Sequence, residues 1–278
     1  MRLVPPTTSA SHAAKLSALN AALGLHASAF EVEWIEACES SNSELLDRDL
    51  PGDDRLPVLV VDHQRAGRGR RGRAWQSFDD GSLTFSLLWR IPAGSSAPEG
   101  LSLVVGLALA RALEDLGVAG VQLKWPNDVL VHGGKIAGIL IELVARQGRA
   151  VAAVIGIGIN LRLPDDVHIP GQATVADLRR ELGERTPDRV SLLAAILGQL
   201  RGLLETYALA GFGALRGAWE QRNAFANLPV SIGSDAEATV GTCIGVDEDG
   251  ALLLRTAEGT RRILSGDVSL RPAPGGQA

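Results

Sequence analysis

HQRAGRGRRGRAW, residues 63–75, places five arginines and three glycines in one short run of a chain whose formal net charge is −5. Three readings compete: a disordered RNA-binding tract, a solvated basic loop, or a loop folded around a small anionic ligand. The flanks weigh against the first two. LPVLVVDHQ (56–64) reads as a buried strand running straight into the loop, and SLTFSLLWR (82–90) reads as the next strand. RNA-binding tracts lie in long disordered segments and interleave aromatic residues, whereas here Trp75 stands only at the end. A loop at the carboxyl end of a strand is where ligand sites concentrate. Glycines at 67, 69 and 72 permit positive φ and let backbone N–H groups approach an anion. Arginines at 68, 70, 71 and 73 stay charged at any working pH and offer forked donors to carboxylate or phosphate.

Composition bounds the rest. At 278 residues the chain fits one large domain, or a large one with a small companion. Hydrophobic residues make up 46% and charged residues 21%, enough apolar material for a core. A protein devoted to nucleic acid is usually basic across a whole face, and this chain is acidic. Cys38 and Cys243 match no metal or redox spacing and read as reduced thiols of a cytoplasmic protein. The longest apolar run, AVAAVIGIGINL (150–161), is too short and glycine-rich to span a membrane, and MRLVPPTTSASHAAKLSAL lacks the apolar core of a signal peptide.

Working outward, residues 1–31 read as a loose tail carrying a short helix, AAKLSALNAALG. FEVEWIEA begins a strand, and Ser40 to Ser43 can cap a helix starting near Glu44. IPAGSSAPEG is a turn-rich linker, and LSLVVGLALARALEDLG (101–117) has helical spacing and ends on glycine. VQLKW is a strand stopped by Pro126, and NDVLVHGGKIAGILIELVAR is a hairpin turning at Gly133-Gly134. After the strand at 150–161 come a loop and three helices, near 174–183, 188–208 and 212–225. Past Asn227 short strands alternate with Asp-Gly and Glu-Gly turns, the pattern of a small antiparallel barrel. The expected fold is α+β: a mixed sheet packed with helices over 32–226, a small SH3-like barrel over 227–272, and a flexible tail at 273–278.

Two further stretches carry polar residues at strand ends. In KWPNDVLVHGGKIAGIL (124–140), Asn127 and Asp128 fall where a strand stops, and Lys135 follows the Gly-Gly turn. Read alone, this is first of all a plain hairpin with a solvent lysine. In GIGIN (156–160), glycines on one strand face leave a floor without side chains, which a flat ligand could fill. It lacks the spacing of a dinucleotide fingerprint, and by itself it is core strand.

Together with ESSNSELL (39–46), these stretches resemble the biotin protein ligase family, in its order and spacing, over roughly residues 32–272. The resemblance implies an enzyme that joins biotin to ATP, giving biotinyl-5′-AMP and pyrophosphate. It then transfers biotin to one lysine of an acceptor, the carboxyl carrier domain of a biotin-dependent carboxylase. It implies biotin contacts from Ser40, Ser41, Asn42, Gln64, Gly67, Arg68, Gly69, Arg70, Lys135, Gly138, Gly156 and Gly158. It implies adenylate contacts from Arg70, Arg71, Arg73, Trp75, Asn127, Lys135 and Asn160. Lys135, Arg68 and Arg70 are the implied catalytic residues, with Mg²⁺ as cofactor and Asp128 as its ligand or as the group orienting the lysine. One departure is visible: the family usually has Ser-Thr-Asn where this chain has Ser40-Ser41-Asn42, which loses a methyl and keeps the hydroxyl. Some relatives carry an N-terminal winged helix-turn-helix; the residues before 32 are too few for one and show no paired-helix pattern. The expectation is a monofunctional ligase, monomeric or weakly dimeric, with neither nucleic acid nor membrane as partner. The alternatives are a lipoate or octanoate ligase on the same fold, or a biotin-responsive DNA-binding regulator.

Overall fold

A computed structural model describes residues 10–49, 52–92, 98–146, 149–167, 169, 172, 174–233, 238–264 and 270–272. Residues 1–9 of the expected tail, 93–97 of the expected linker and the expected tail at 273–278 lie outside the described residues. The elements run α1 (Ala10–Leu23), β1 (Phe30–Cys38), α2 (Ser41–Leu46), β2 (Leu56–Gln64), β3 (Ser82–Arg90), α3 (Leu101–Asp115), β4 (Val121–Lys124), β5 (Asp128–Val131) and β6 (Gly134–Arg146). They continue as β7 (Arg149–Asn160), α4 (Leu178–Leu182), α5 (Arg189–Ala210), α6 (Gly213–Glu220), β8 (Pro229–Ile232), β9 (Thr239–Val246), β10 (Leu252–Thr256), β11 (Gly259–Ile263) and β12 (Leu270–Pro272). A seven-stranded mixed sheet has the order β1-β2-β3-β7-β6-β5-β4, and a five-stranded antiparallel sheet has the order β11-β10-β9-β8-β12.

The chain divides into two compact units, with two of the cuts falling inside β6 and α5. In the first unit β1 runs parallel to β2, and β3 is antiparallel to both β2 and β7. Cys38, Leu45, Leu59, Val61, Leu88, Ala152 and Val154 form one buried cluster, uniting α2 with four strands. Leu59 and Val61 sit two apart on β2, as the two-residue period of a strand requires. The helix expected in the tail forms as α1 and is anchored: Leu19 is fully buried, and His12 Nε2 lies 2.9 Å from Asp62 Oδ2.

In the second unit α3 buries 11 of its 15 residues, consistent with its almost unbroken apolar run. Its Gly106 lets the helix close on β4 and β6, since a Cβ there would already touch Leu123 at 3.4 Å and Ile139 at 3.7 Å. Arg222 grips Glu114 of α3 through two hydrogen bonds of 2.8 and 2.7 Å. Trp125 follows β4, joined to Pro126 by a cis peptide bond, and its buried indole N–H donates to Gly250 O at 3.0 Å.

Several boundaries differ from the sequence expectation for identifiable reasons. α2 starts at Ser41 rather than near Glu44, because Gln64 Oε1 accepts from the Ser41 N–H at 2.7 Å and satisfies a donor that a helix start leaves open. The helix expected from 174 begins only at Leu178. Thr174 O accepts from Lys135 N, Ala176 N donates to Lys135 O, and Asp177 then caps the helix by accepting from Arg180 N at 3.0 Å. The helix expected to reach 225 stops at Glu220, since Arg222 O and Ala224 N both pair with the Leu123 backbone. α5, 22 residues long, is apolar enough by length and composition to cross a membrane, contrary to the reading that no segment reaches that length. One face of it is core: Leu192, Leu193, Ile196, Leu197 and Leu200 are fully buried at helical spacing, while Arg189, Arg201 and Glu205 of the same helix make ion pairs.

Candidate active site

The first unit holds a buried network of neutral polar groups. Ser41 donates to Gln64 Oε1 through its backbone N–H at 2.7 Å and its hydroxyl at 3.1 Å. Ser41 Oγ also lies 2.7 Å from Ser86 Oγ, and Ser86 donates to Asn42 Oδ1 at 2.5 Å. Asn42 Nδ2 completes the chain by donating to Glu142 Oε2 at 2.8 Å. Ser40 is buried beside it at the start of α2, where its carbonyl accepts from Glu44 N. The floor comes from strand register. Ser82, Thr84 and Ser86 of β3 stand opposite Asn160, Gly158 and Gly156 of β7, so one sheet face carries three hydroxyls facing two glycines and an amide.

Both glycines are required by what lies on them. A Cβ on Gly156 would overlap the Asn42 carboxamide, and one on Gly158 would overlap the Trp75 indole. The Arg/Gly loop is a small hairpin that brings Trp75 there: Trp75 N donates to Gly67 O at 2.8 Å, and Gly69 N to Arg73 O at 2.7 Å. Its tip is a 3₁₀ turn at Arg70–Gly72, with Arg71 (φ 61) and Gly72 (φ 70) both left-handed. Arg68 leaves the hairpin to donate through Nη2 to Glu142 Oε2 at 2.9 Å. Ser40, Ser41, Asn42, Gln64, Gly67, Arg68, Trp75, Gly156, Gly158 and Asn160 are thus gathered in one unit.

The second unit holds the other predicted residues. Lys135 Nζ and Asp128 Oδ1 are 2.7 Å apart, and each side chain is 19% exposed. Gly138 stands opposite Asp128 across the β5–β6 ladder. Asn127, expected at the adenylate, is held to the hairpin: its Nδ2 donates to Ile139 O at 3.0 Å, and its carbonyl accepts from Ile139 N. Among the described residues no group of three metal-ligating side chains occurs, and Asp128 stands against Lys135, where it can orient the lysine. Both cysteines are free and buried; burial, then the negative charges of Glu44 and Glu39, pushes the Cys38 thiol up to about 11, and burial raises Cys243. Neither is poised as a nucleophile.

Sequence reasoning missed Thr84, Ser86 and Glu142. A signal existed for the first two: Ser82, Thr84 and Ser86 alternate with apolar residues in SLTFSLLWR, the mark of a strand with one polar face. Glu142 sits in an apolar run with no local pattern to mark it.

The buried network of neutral donors and acceptors and the arginine loop tied to it through Glu142 lie in one unit, and the Lys135–Asp128 pair in the other; the comparisons with known proteins define the class, a protein ligase. Residues 37–160 match the Biotin/lipoate A/B protein ligase family, and residues 227–271 match the Biotin protein ligase C terminal domain. The Bifunctional ligase/repressor BirA of Escherichia coli is 37% identical over 247 residues, 87% of this chain and 74% of the relative. The Biotin--[acetyl-CoA-carboxylase] ligase of Paracoccus denitrificans is 35% identical over 83% of this chain and 96% of its own length. Among solved structures, the biotin protein ligase from Aquifex aeolicus in complex with biotin and ATP superposes with TM-score 0.74 at 29% identity, covering 87% of this chain and 99% of that one. The chain belongs to the biotin protein ligase family.

Proposed function

We propose that this chain forms biotinyl-5′-AMP from biotin and ATP and passes the biotin to a lysine of a carboxyl carrier domain. Biotin's carboxylate oxygen attacks the α-phosphorus and pyrophosphate leaves; the acceptor amine then attacks the adenylate's carbonyl carbon and AMP leaves. The first step brings negative charge onto negative charge, so fixed cations are what the protein must supply. Arg68, Arg70, Arg71 and Arg73 are assigned that role at the carboxylate and phosphates. Lys135, oriented by Asp128, is assigned to the oxygens that gain charge in both steps. Asn160 and the Trp75 face are assigned to the adenylate.

The observation that carries this reading is the Ser41–Gln64–Ser86–Asn42 network. A ureido ring is neutral and has donors on both sides of an acceptor, and it calls for neutral hydroxyl and amide partners. Mg²⁺ is proposed to arrive on the ATP phosphates rather than in a protein cage. The cytoplasm, where ATP is available, is the proposed compartment, and 32–226 and 227–272 are the proposed domain limits.

Pyrophosphate–ATP exchange with Mg²⁺ and either biotin or lipoate tests the substrate. Exchange with biotin alone is expected; exchange with lipoate alone would move the chain to the lipoate branch of the same fold.

A further inference from the structure

The Arg/Gly loop and the buried polar network meet on one atom. Glu142 Oε2 accepts from Asn42 Nδ2 at 2.8 Å and from Arg68 Nη2 at 2.9 Å. We propose that Glu142 is a positioning residue that latches the loop over the biotin pocket and aims Arg68 at the biotin carboxylate; this rests on the biotin reading of the same site.

Three observations support the latch. The Glu142 side chain is 25% exposed and the Arg68 side chain 44%, so an ion pair here adds little to stability and its consequence is geometric. On the pocket side, Asn42 is fixed by Ser86 through Oδ1 and by Glu142 through Nδ2, so the carboxylate is held to a buried, neutral framework. On the loop side, the bond engages one terminal nitrogen of a guanidinium that carries five N–H donors, so anchoring does not use up the fork. The charge also balances. Four arginines in 68–73 repel one another before any anion arrives, and a carboxylate beside the first of them lowers that cost without entering the neutral network.

The test compares wild type with Glu142→Ala, Glu142→Gln, Arg68→Ala and the Glu142→Ala/Arg68→Ala double variant. The readouts are amide exchange over residues 67–75 in ligand-free protein, the dissociation rate of biotin by stopped flow, and the unfolding midpoint. Glu142→Ala is expected to raise exchange across the loop and to release biotin about 10-fold faster. Its midpoint is expected to stay within about 3 °C of wild type. Glu142→Gln, whose amide oxygen still accepts from Asn42, is expected to restore part of the loop protection. Because Glu142 holds Asn42 as well as Arg68, only the part of its effect that runs through Arg68 should vanish, so Glu142→Ala should speed biotin release less in the Arg68→Ala background than in wild type. Unchanged exchange in both Glu142 variants would overturn the latch. So would slower biotin release in Glu142→Ala, which would mean the carboxylate competes with the ligand for Arg68. If wild type failed to bind biotin, the substrate reading would fall while the ligand-free exchange still decided the latch.

Discussion

Lys135 and Asp128 share one face of the β5–β6 hairpin only because the ladder is bulged. Asp128 pairs with Gly138 and Val129 with Ala137, but Leu130 pairs with Lys135, so Ile136 is the extra residue. In a regular ladder Lys135 would stand opposite Val131 and point to the other face. The inserted residue turns it over and leaves Nζ 2.7 Å from Asp128 Oδ1. The turned lysine is also clamped by its backbone, which pairs with Thr174 O and Ala176 N.

Lys135→Ala is therefore expected to leave the fold intact and to cut adenylate formation by about 100-fold or more, the usual consequence of removing a charge-stabilising donor. Asp128→Asn keeps the lysine and loses only its orientation, so a smaller loss, about 10-fold, is expected. Single-turnover formation of the adenylate reads both. A Lys135→Ala variant with the wild-type rate would remove the lysine from the mechanism.

The two floor glycines are expected to respond differently. At Gly158 an added methyl meets the Trp75 indole, which belongs to a surface hairpin that can shift, so Gly158→Ala should weaken ATP binding with little change in stability. At Gly156 the methyl meets Asn42, held on both sides by hydrogen bonds, so Gly156→Ala should destabilise the fold by about 1–3 kcal/mol. Thermal unfolding and ATP titration of the two variants separate the cases, and equal behaviour would contradict the geometry.

Thr84 Oγ1 is buried and has no hydrogen-bond partner among the described residues, although Thr84 stands opposite Gly158 on the polar face of the sheet. An unmet buried hydroxyl costs about 1–3 kcal/mol, and a ligand that meets it recovers part of that. Thr84→Val is expected to leave the free protein as stable or slightly more so, and to weaken biotin about 5- to 10-fold. Destabilisation without loss of affinity would mean the hydroxyl serves the fold instead.

Asp62 is one source of acid sensitivity in the first unit. Burial alone would raise its pKa; hydrogen bonds from Trp34 and His12 and the charges of Arg189 and Lys15 outweigh burial and bring it down to about 2. A depressed carboxylate stabilises the fold above its unfolded pKa and loses that contribution as pH falls through the folded value. The window is therefore about pH 4 down to about pH 2, and the contribution is on the order of 2 kcal/mol. Asp62→Asn is expected to lower stability at pH 7 by a similar amount and to flatten the acid limb of the unfolding curve. An unchanged acid limb would assign it to other carboxylates.

Much of this protein was legible in its sequence. Period-2 and period-3.6 patterns located the strands and the main helices, because burial on one face imposes those periods locally. The Arg/Gly loop stood out as a contiguous charged run, whereas KWPND and GIGIN, each ambiguous alone, could be read only together with it, as a family resemblance. The helix from 174 and the extension of the last helix to 225 were misread, because their backbones are claimed by Lys135 and by Leu123, partners far away in sequence.

What only the tertiary structure decided is how separate runs meet. Glu142 lies 74 residues from Arg68 and 100 from Asn42, and no local pattern marks it as the atom that joins them. The bulge at Ile136 is equally silent, since GKIAGIL reads as a regular strand in either register. Sequence specifies which face a residue prefers through local periodicity; a one-residue insertion in pairing reverses that face, and the choice is made by the packed ladder rather than by any single segment.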